Sequence, residues 1–289
     1  MKFKTYNIDK NYSNTYYFLK DIGFSESFIT LLRKKEGSIL INENISTTRS
    51  PLFSGDILKI DLDSKKKSNF KTNDLPLNII YEDDYLLIVN KPSGITTSPS
   101  KSHYNENLSG AILGYMQQKD ENFVLRMINR LDKDTSGIIV VAKDIETYKN
   151  MGKIEKTYYA ICKGVINDFI TIDKPIKTIN NDGINEIKRI ISDVGKPAKT
   201  FVEPIEKLKN ATLLKIVLEH GRTHQIRVHL SSINHPLIGD EIYGEKSSLI
   251  SHSALVCKNI SFKHPTTEQK ISLEIDFPED FKNLIKLLK

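Results

Sequence analysis

The sequence predicts an α+β protein in two domains, and three observations carry that prediction. Strand-like runs recur along most of the chain, with helical patterns between them at irregular intervals. Without regular strand–helix alternation, antiparallel pairing is favoured over a doubly wound parallel sheet. A polar, Lys-rich stretch at 63–76, closed by a proline, reads as a linker between a short front part and a long rear part. The length, 289 residues, suits two domains of ordinary size.

In the front domain, 1–62, helical spacing spans Thr15–Ile22 and Ser25–Lys35, with Phe18, Leu19 and Ile22, then Phe28, Leu31 and Leu32, on apolar stripes. Gly37 is placed to end the second helix in the left-handed conformation. Ser38–Asn42 reads as a strand, Glu43-Asn44 as a turn and Ile57–Leu62 as a second, alternating strand. The rear domain, 77–289, carries strand patterns at Ile79–Tyr81, Tyr85–Asn90, Gly137–Ala142, Thr157–Cys162, Leu213–Glu219 and Ile271–Phe277. Helical patterns intervene at Leu108–Gln118, Thr147–Gly152 and Thr223–Ser232.

Composition narrows the function classes. There is no apolar run near the ~18 residues a membrane helix needs, and Met1–Lys10 leads into no apolar stretch, so neither a membrane span nor a secretory leader is expected. Two widely separated cysteines, Cys162 and Cys257, give no disulfide or zinc spacing and fit a reducing compartment such as the cytoplasm. Net charge is 42 − 36 = +6, of which 13 − 9 = +4 lies on residues 1–75. That balance permits a nucleic-acid partner without demanding one. Only 7 of the 42 basic residues are Arg, and three of them, Arg130, Arg222 and Arg227, fall in two unusual segments.

The first segment is Asn129–Lys143, NRLDKDTSGIIVVAK, a turn feeding an apolar strand. Asp132 sits at the strand's mouth, and Arg130, two residues away, points the same way if the stretch is extended. Alone, an Asp in a turn is ordinary. The second is Leu218–Gly244, LEHGRTHQIRVHLSSINHPLIGDEIYG, where Thr223 is a candidate helix cap. Ile226, Leu230 and Ile233 share one face; His224, Arg227 and Ser231 share another. Four His within residues 220–235 raise a metal site, but Gly221 breaks a shared helical face and no HExxH is present, so no metal is expected. The third, Val89–Pro99, holds Lys91 in NKPSG and lacks the P-loop pattern; the fourth, EKTYYAICKG, places Tyr158 on a strand, where packing is the commoner role.

Together these four segments, in this order, resemble the RluA/RluD-type RNA pseudouridine synthases over about residues 77–282. Residues 14–62, through FSESFITLLRKKEGSILIN and SGDILKI, resemble more loosely an S-four-type RNA-binding domain. Departures include Asn129, where many members have His, His220 in place of a common Thr, and Val256-Cys257 in place of a frequent His-Ala. The resemblance implies a large catalytic domain with a mixed, mainly antiparallel central sheet. It implies isomerisation of uridine to pseudouridine in structured RNA, ribosomal more than transfer RNA, with no cofactor and by a monomer.

By the same resemblance Asp132 is the catalytic carboxylate, ion-paired with Arg227. Tyr158 stacks on the target base and is placed for proton removal from carbon five. The uridine must leave its stack, and Arg130 fills the space, as a planar guanidinium suits. Arg222, Lys91 and His224 are expected RNA contacts, and Arg33, Lys34 and Lys35, at the end of the second front helix, expected phosphate contacts. Two other readings compete: a non-catalytic RNA binder on a synthase scaffold, and an acid–base hydrolase built on Asp132. The second needs a paired carboxylate, and Asp134 is too near in the turn to converge on one bond.

Overall fold

A computed structural model describes residues 3–24, 26–61, 71–99, 105–119, 123–179 and 188–289. Most of the expected linker, 63–70, lies outside the described residues, and 71–76 has no regular structure. The chain divides into two compact units, Met1–Lys71 with Tyr115–Val124, and Thr72–Gly114 with Leu125–Lys289.

In the first unit, strands β1 (Phe3–Asn7), β2 (Ile39–Ile41), β3 (Asn44–Ile45) and β4 (Ile57–Asp61) form an antiparallel sheet in the order β1-β4-β2-β3. Helices α1 (Thr15–Asp21) and α2 (Glu26–Lys34) accompany it. Asn14 caps α1 by accepting the Tyr17 N–H, and Gly37 takes φ +72° just past α2. Phe18, Leu19, Ile29, Leu32, Ile39, Leu58 and Ile60 form the core, so the apolar helix stripes and the alternating strand face meet as their spacing requires. The hairpin turn is Asn42-Glu43, one residue earlier than the sequence suggested. Both residues have positive φ (50° and 66°), as a two-residue turn between right-twisted strands demands.

The second unit is organised by a ten-stranded sheet. Its strands are β5 (Asn78–Glu82), β6 (Leu86–Lys91), β7 (Arg126–Met127), β8 (Ser136–Ala142), β9 (Glu155–Lys163), β10 (Ile170–Asp173), β13 (Lys199–Leu208), β14 (Ala211–Leu218), β15 (Leu255–Lys263) and β16 (Lys270–Glu274). A separate hairpin joins β11 (Ile176–Ile179) to β12 (Lys188–Ile191). Helices α3 (Leu108–Gln117), α4 (Ile145–Asn150), α5 (Gln225–Ser231) and α6 (Glu279–Leu288) complete the chain. Strand order is β10-β13-β14-β9-β15-β8-β6-β5, with β16 on β15 and β7 on β8. All pairings are antiparallel except β8 with β15, so the sheet is mixed and mainly antiparallel, as expected.

Two strands of this sheet have weak sequence signals. β13 contains Pro204, which strands exclude unless the ladder lapses; the register does shift between Pro204 and Glu206. β15 reads LVCKNISFK, with Lys and Asn interrupting its alternation. Strand β8, by contrast, is buried at every position, matching the continuous apolar run GIIVVA. Gly137 makes the β8–β15 approach possible: a Cβ there would stand 2.3 Å from the Cys257 carbonyl oxygen, and φ is +124°.

Candidate active site

Asp132 lies in the turn between β7 and β8, closed by the Thr135 N–H donating to the Asp132 carbonyl at 3.2 Å. Its flanks are tied down on three sides. Buried Asn129 acts as a strand amide, donating to the Ile138 carbonyl at 2.9 Å and accepting the Val140 N–H at 2.7 Å. Thr97 Oγ1 donates to the Leu131 carbonyl at 2.6 Å and accepts the Leu131 N–H at 3.2 Å. Lys91 Nζ donates to the Lys133 carbonyl at 3.0 Å. The backbone on both sides of Asp132 is thus held, and its half-buried carboxylate is aimed into a cleft of about 360 Å³.

That cleft is also lined by Arg130, Tyr158, Arg222, His224 and Arg227. Six of the expected site residues therefore converge. Arg130 is exposed at the mouth, free to reach a polymeric ligand. Tyr158, on β9, lies across β15 from β8, a separation of two strands or about 10 Å between backbones. Its ring is buried; desolvation, then the nearby Cys257 and the Asp132 charge, raise its phenol well above the ordinary range. The phenol is therefore neutral at neutral pH.

Arg227 departs from the expected pairing. It is buried on α5, and its guanidinium forms a two-point ion pair with Asp240, Nε to Oδ2 and Nη2 to Oδ1, both at 2.7 Å. Asp240, itself fully buried, also accepts the N–H groups of Ile242 and Tyr243 at 3.1 Å. Burial works against the Arg227 charge, but Asp240 outweighs it, with Asp132 and Asp134 adding at longer range, and the net shift is upward. Asp132 thus feels a fixed positive charge without sharing an ion pair with it, because the geometry of the Arg fork is already satisfied. The Tyr243 ring lies 5.5 Å from the guanidinium carbon and completes its cage.

Helix α5 begins differently from the sequence reading. The N-cap is His224, not Thr223, and it has φ +57° with no side-chain cap bond. Instead Gln225 Oε1 reaches back to the Arg222 N–H at 3.0 Å. His224 Nδ1 lies 3.0 Å from the Tyr243 hydroxyl. Burial lowers its pKa; Asp132 opposes this, while Arg227 and Arg189 reinforce it, so the ring is neutral at neutral pH. The other His of this region disperse: His229 binds Thr200 and the Lys174 carbonyl, and His235 the Lys163 carbonyl. Among the described residues there is no group of three His, Cys, Asp or Glu able to hold a metal.

Lys91 is not placed as an RNA contact. It is fully buried, and its ammonium donates to the Pro92, Ile95 and Lys133 carbonyls at 2.8, 2.8 and 3.0 Å. Burial pushes it down to about 7, with Asp134 and Asp132 opposing. In the first unit, Arg33 and Lys34 are exposed at the end of α2, Arg33 Nε donating to Thr48 Oγ1 at 2.9 Å. Lys35 is instead drawn into an ion pair of 2.5 Å with fully buried Asp61. Asp240, Tyr243 and Thr97 are the site-shaping residues the sequence reading passed over; the first two stand in the GDEIYG stretch already singled out as unusual.

The second unit's architecture has solved counterparts. Human RNA Pseudouridylate Synthase Domain Containing 1 matches with a TM-score of 0.57 and 22% identity over 71% of this chain and 85% of that one. Human RNA Pseudouridylate Synthase Domain Containing 4 matches equally, over 73% and 92%. The fold is therefore that of the pseudouridine synthases. Residues 85–232 match the RNA pseudouridylate synthase family model. A Ribosomal large subunit pseudouridine synthase D of Neisseria meningitidis is 31% identical over 92% of this chain and 75% of its own. The Zymomonas mobilis protein of the same name is 33% identical, over 91% of each chain. The uncharacterized RNA pseudouridine synthase YjbO of Bacillus subtilis is 31% identical over 92% and 96%. The chain belongs to the RluA/RluD family of RNA pseudouridine synthases, isomerases that make pseudouridine in RNA.

Proposed function

We propose that this enzyme converts specific uridines of large-subunit ribosomal RNA to pseudouridine, in the cytoplasm and as a monomer, with Asp132 as its catalytic carboxylate. The observation that carries the catalytic assignment is the Asp132 turn, tied down on both sides and facing Tyr158 and Arg227 in one cleft. The ribosomal substrate is supported by the relatives, which carry ribosomal large-subunit synthase names.

In this reading the target uridine is flipped into the cleft and Arg130 fills the vacated stack. The bond from the sugar's anomeric carbon to N1 breaks and a bond from that carbon to C5 forms. C5 then loses its proton, and N1 gains one, so atoms balance without redox. Asp132, which shares the cleft with the Arg227 guanidinium, is the nucleophile, on the sugar carbon or on the base. Tyr158 supplies the stacking face; its neutral phenol can donate a hydrogen bond to the uracil during rotation, and becomes a base for the C5 proton only if substrate shifts its titration. The first unit adds affinity in the manner of an S-four-type domain, through Arg33 and Lys34. Transfer RNA is the second candidate substrate.

The test is pseudouridine mapping of total RNA after gene deletion, then after restoration with wild type or Asp132→Asn. Ribosomal sites lost on deletion, restored by wild type and not by Asp132→Asn, are expected. Restoration of every site by Asp132→Asn overturns the catalytic assignment; loss confined to transfer RNA overturns the substrate.

A further inference from the structure

A second groove of about 500 Å³ adjoins the catalytic cleft, and the two share Gly221, Arg222 and Thr223 in their walls. Its other wall comes from strands β11 and β12 and the loop after β12. Among the described residues, every charged residue lining it is basic: Lys177, Arg189, Lys196 and Arg222.

Arg189 is the unusual member. Its backbone N–H is committed, donating to the Tyr243 hydroxyl at 2.9 Å, which fixes where its side chain departs. Its Nη1 is fully buried and has no hydrogen-bond partner among the described residues. A guanidinium nitrogen removed from water without an acceptor is costly, and native structures rarely leave one so unless a ligand supplies the acceptor. Arg222 is half committed in a similar way: its Nε donates to the Pro197 carbonyl at 3.1 Å, which anchors the stem and leaves the terminal nitrogens available. Lys177 and Lys196 are exposed on the same groove. The floor is closely built: a Cβ on Gly195 would stand 2.6–2.8 Å from the backbone of Ile176. None of these groups is used by the mechanism above except Arg222, which the cleft shares.

We propose that this groove is a phosphodiester-binding site that seats the substrate RNA backbone next to the flipped uridine, with Arg189 as its central ligand. The ligand the groove suits is anionic, because the described lining brings four cations together with no acid among them. It must offer acceptors at a buried depth, which the non-bridging oxygens of a phosphate do and which match a guanidinium fork. Continuity with the cleft makes the neighbouring nucleotides of the same strand the chemically consistent source. The inference rests on the RNA substrate reading and adds to it a positioning contact that carries no sequence information.

The test uses the full chain and an unmodified transcript of large-subunit ribosomal RNA carrying tritium at uridine C5, so that isomerisation releases tritium. Wild type is compared with Arg189→Gln and with Lys177→Gln/Lys196→Gln. Binding to the same transcript is measured by filter retention between 50 and 200 mM salt. For Arg189→Gln we expect kcat/KM to fall about tenfold with the loss in KM, and the slope of log affinity against log salt to become shallower by about one. The lysine pair should flatten the slope by about two, and it decides the matter if Arg189→Gln fails to fold. An unchanged salt slope in the lysine pair, or a loss confined to kcat, overturns the groove. Absence of tritium release by wild type overturns the substrate reading instead, and filter retention still judges the groove.

Discussion

Asp240 concentrates more of the site's electrostatics than any residue expected to react. It takes four hydrogen bonds, two from Arg227 and two from the backbone of its own turn, with no exposure to water. Removing one partner of a buried pair strands the other charge, at a cost of about 3–5 kcal/mol. Asp240→Asn should therefore lower unfolding free energy by about 3 kcal/mol and kcat by at least about tenfold. Urea unfolding and tritium release read the two effects. Lys91 gives a pH signature. Unfolded, its amine titrates near 10.5; folded, near 7. Between those values the unfolded chain holds a proton the native chain has released, so this residue makes stability rise with pH across that window. The stability of wild type minus that of Lys91→Met should climb from pH 7 to pH 10 in urea melts. A flat difference would mean the three carbonyls keep the ammonium charged. That Arg130, Asp132, Tyr158 and Arg227 line one cleft was legible in the sequence because their motifs are local and specific. The Arg227–Asp240 pairing was not, because it forms across 13 residues and a turn whose geometry only the folded chain defines. Lys91 was misread for a related reason: a Lys beside a Pro-Ser-Gly turn looks exposed until the carbonyls around it are placed.

At the scale of elements, the site depends on three adjacent strands, β8, β15 and β9. Gly137 admits β15 against β8, and Cys257 of β15 faces Gly137 on one side and Tyr158 on the other. Gly137→Ala would force a methyl against the Cys257 backbone at a φ disfavoured for Ala. We expect a loss of at least ~3 kcal/mol, seen as a lower urea midpoint, with catalysis falling along with the folded fraction. β8 could be read from its apolar run and β9 from its alternation. β13 and β15 could not, since a proline bulge and interior polar residues hide strands that tertiary pairing imposes. Helix α5 was legible in its span but not in its start, because a left-handed His224 with a Gln225 back-bond replaces the side-chain cap that sequence rules look for.

For the whole molecule, the +6 charge is meaningful through its placement rather than its size. Arg33 and Lys34 stay exposed while Lys35 is internally paired, so only the first two are available to RNA phosphates. The Arg33→Gln/Lys34→Gln variant should flatten the salt dependence of transcript binding by about two while kcat at saturating RNA holds, read by filter retention and tritium release. A larger fall in kcat would show that the front unit shapes the reacting cleft. Segment 115–124 belongs to the first unit, a grouping the sequence does not signal because that segment is distant along the chain.

The parallel pairing of Ser136 with Val256 has a consequence for the birth of the enzyme. The two residues are 256 − 136 = 120 positions apart. At a translation rate of about 5–20 residues per second, the Ser136–Gly137 end of β8 waits roughly 6–24 s for its partner after it is made. During that interval SGIIVVA pairs with β6 on one side, while on the other β7 covers Val141 and Ala142 and the Asn129 side chain serves Ile138 and Val140, so only the Ser136–Gly137 end stays open. A ribosome-bound nascent chain therefore holds the Asp132 turn before the strand that joins β8 to β9 has been made. Until β15 has emerged, β8 and β9 lack the strand between them, and the cleft that Asp132 and Tyr158 share is not yet assembled.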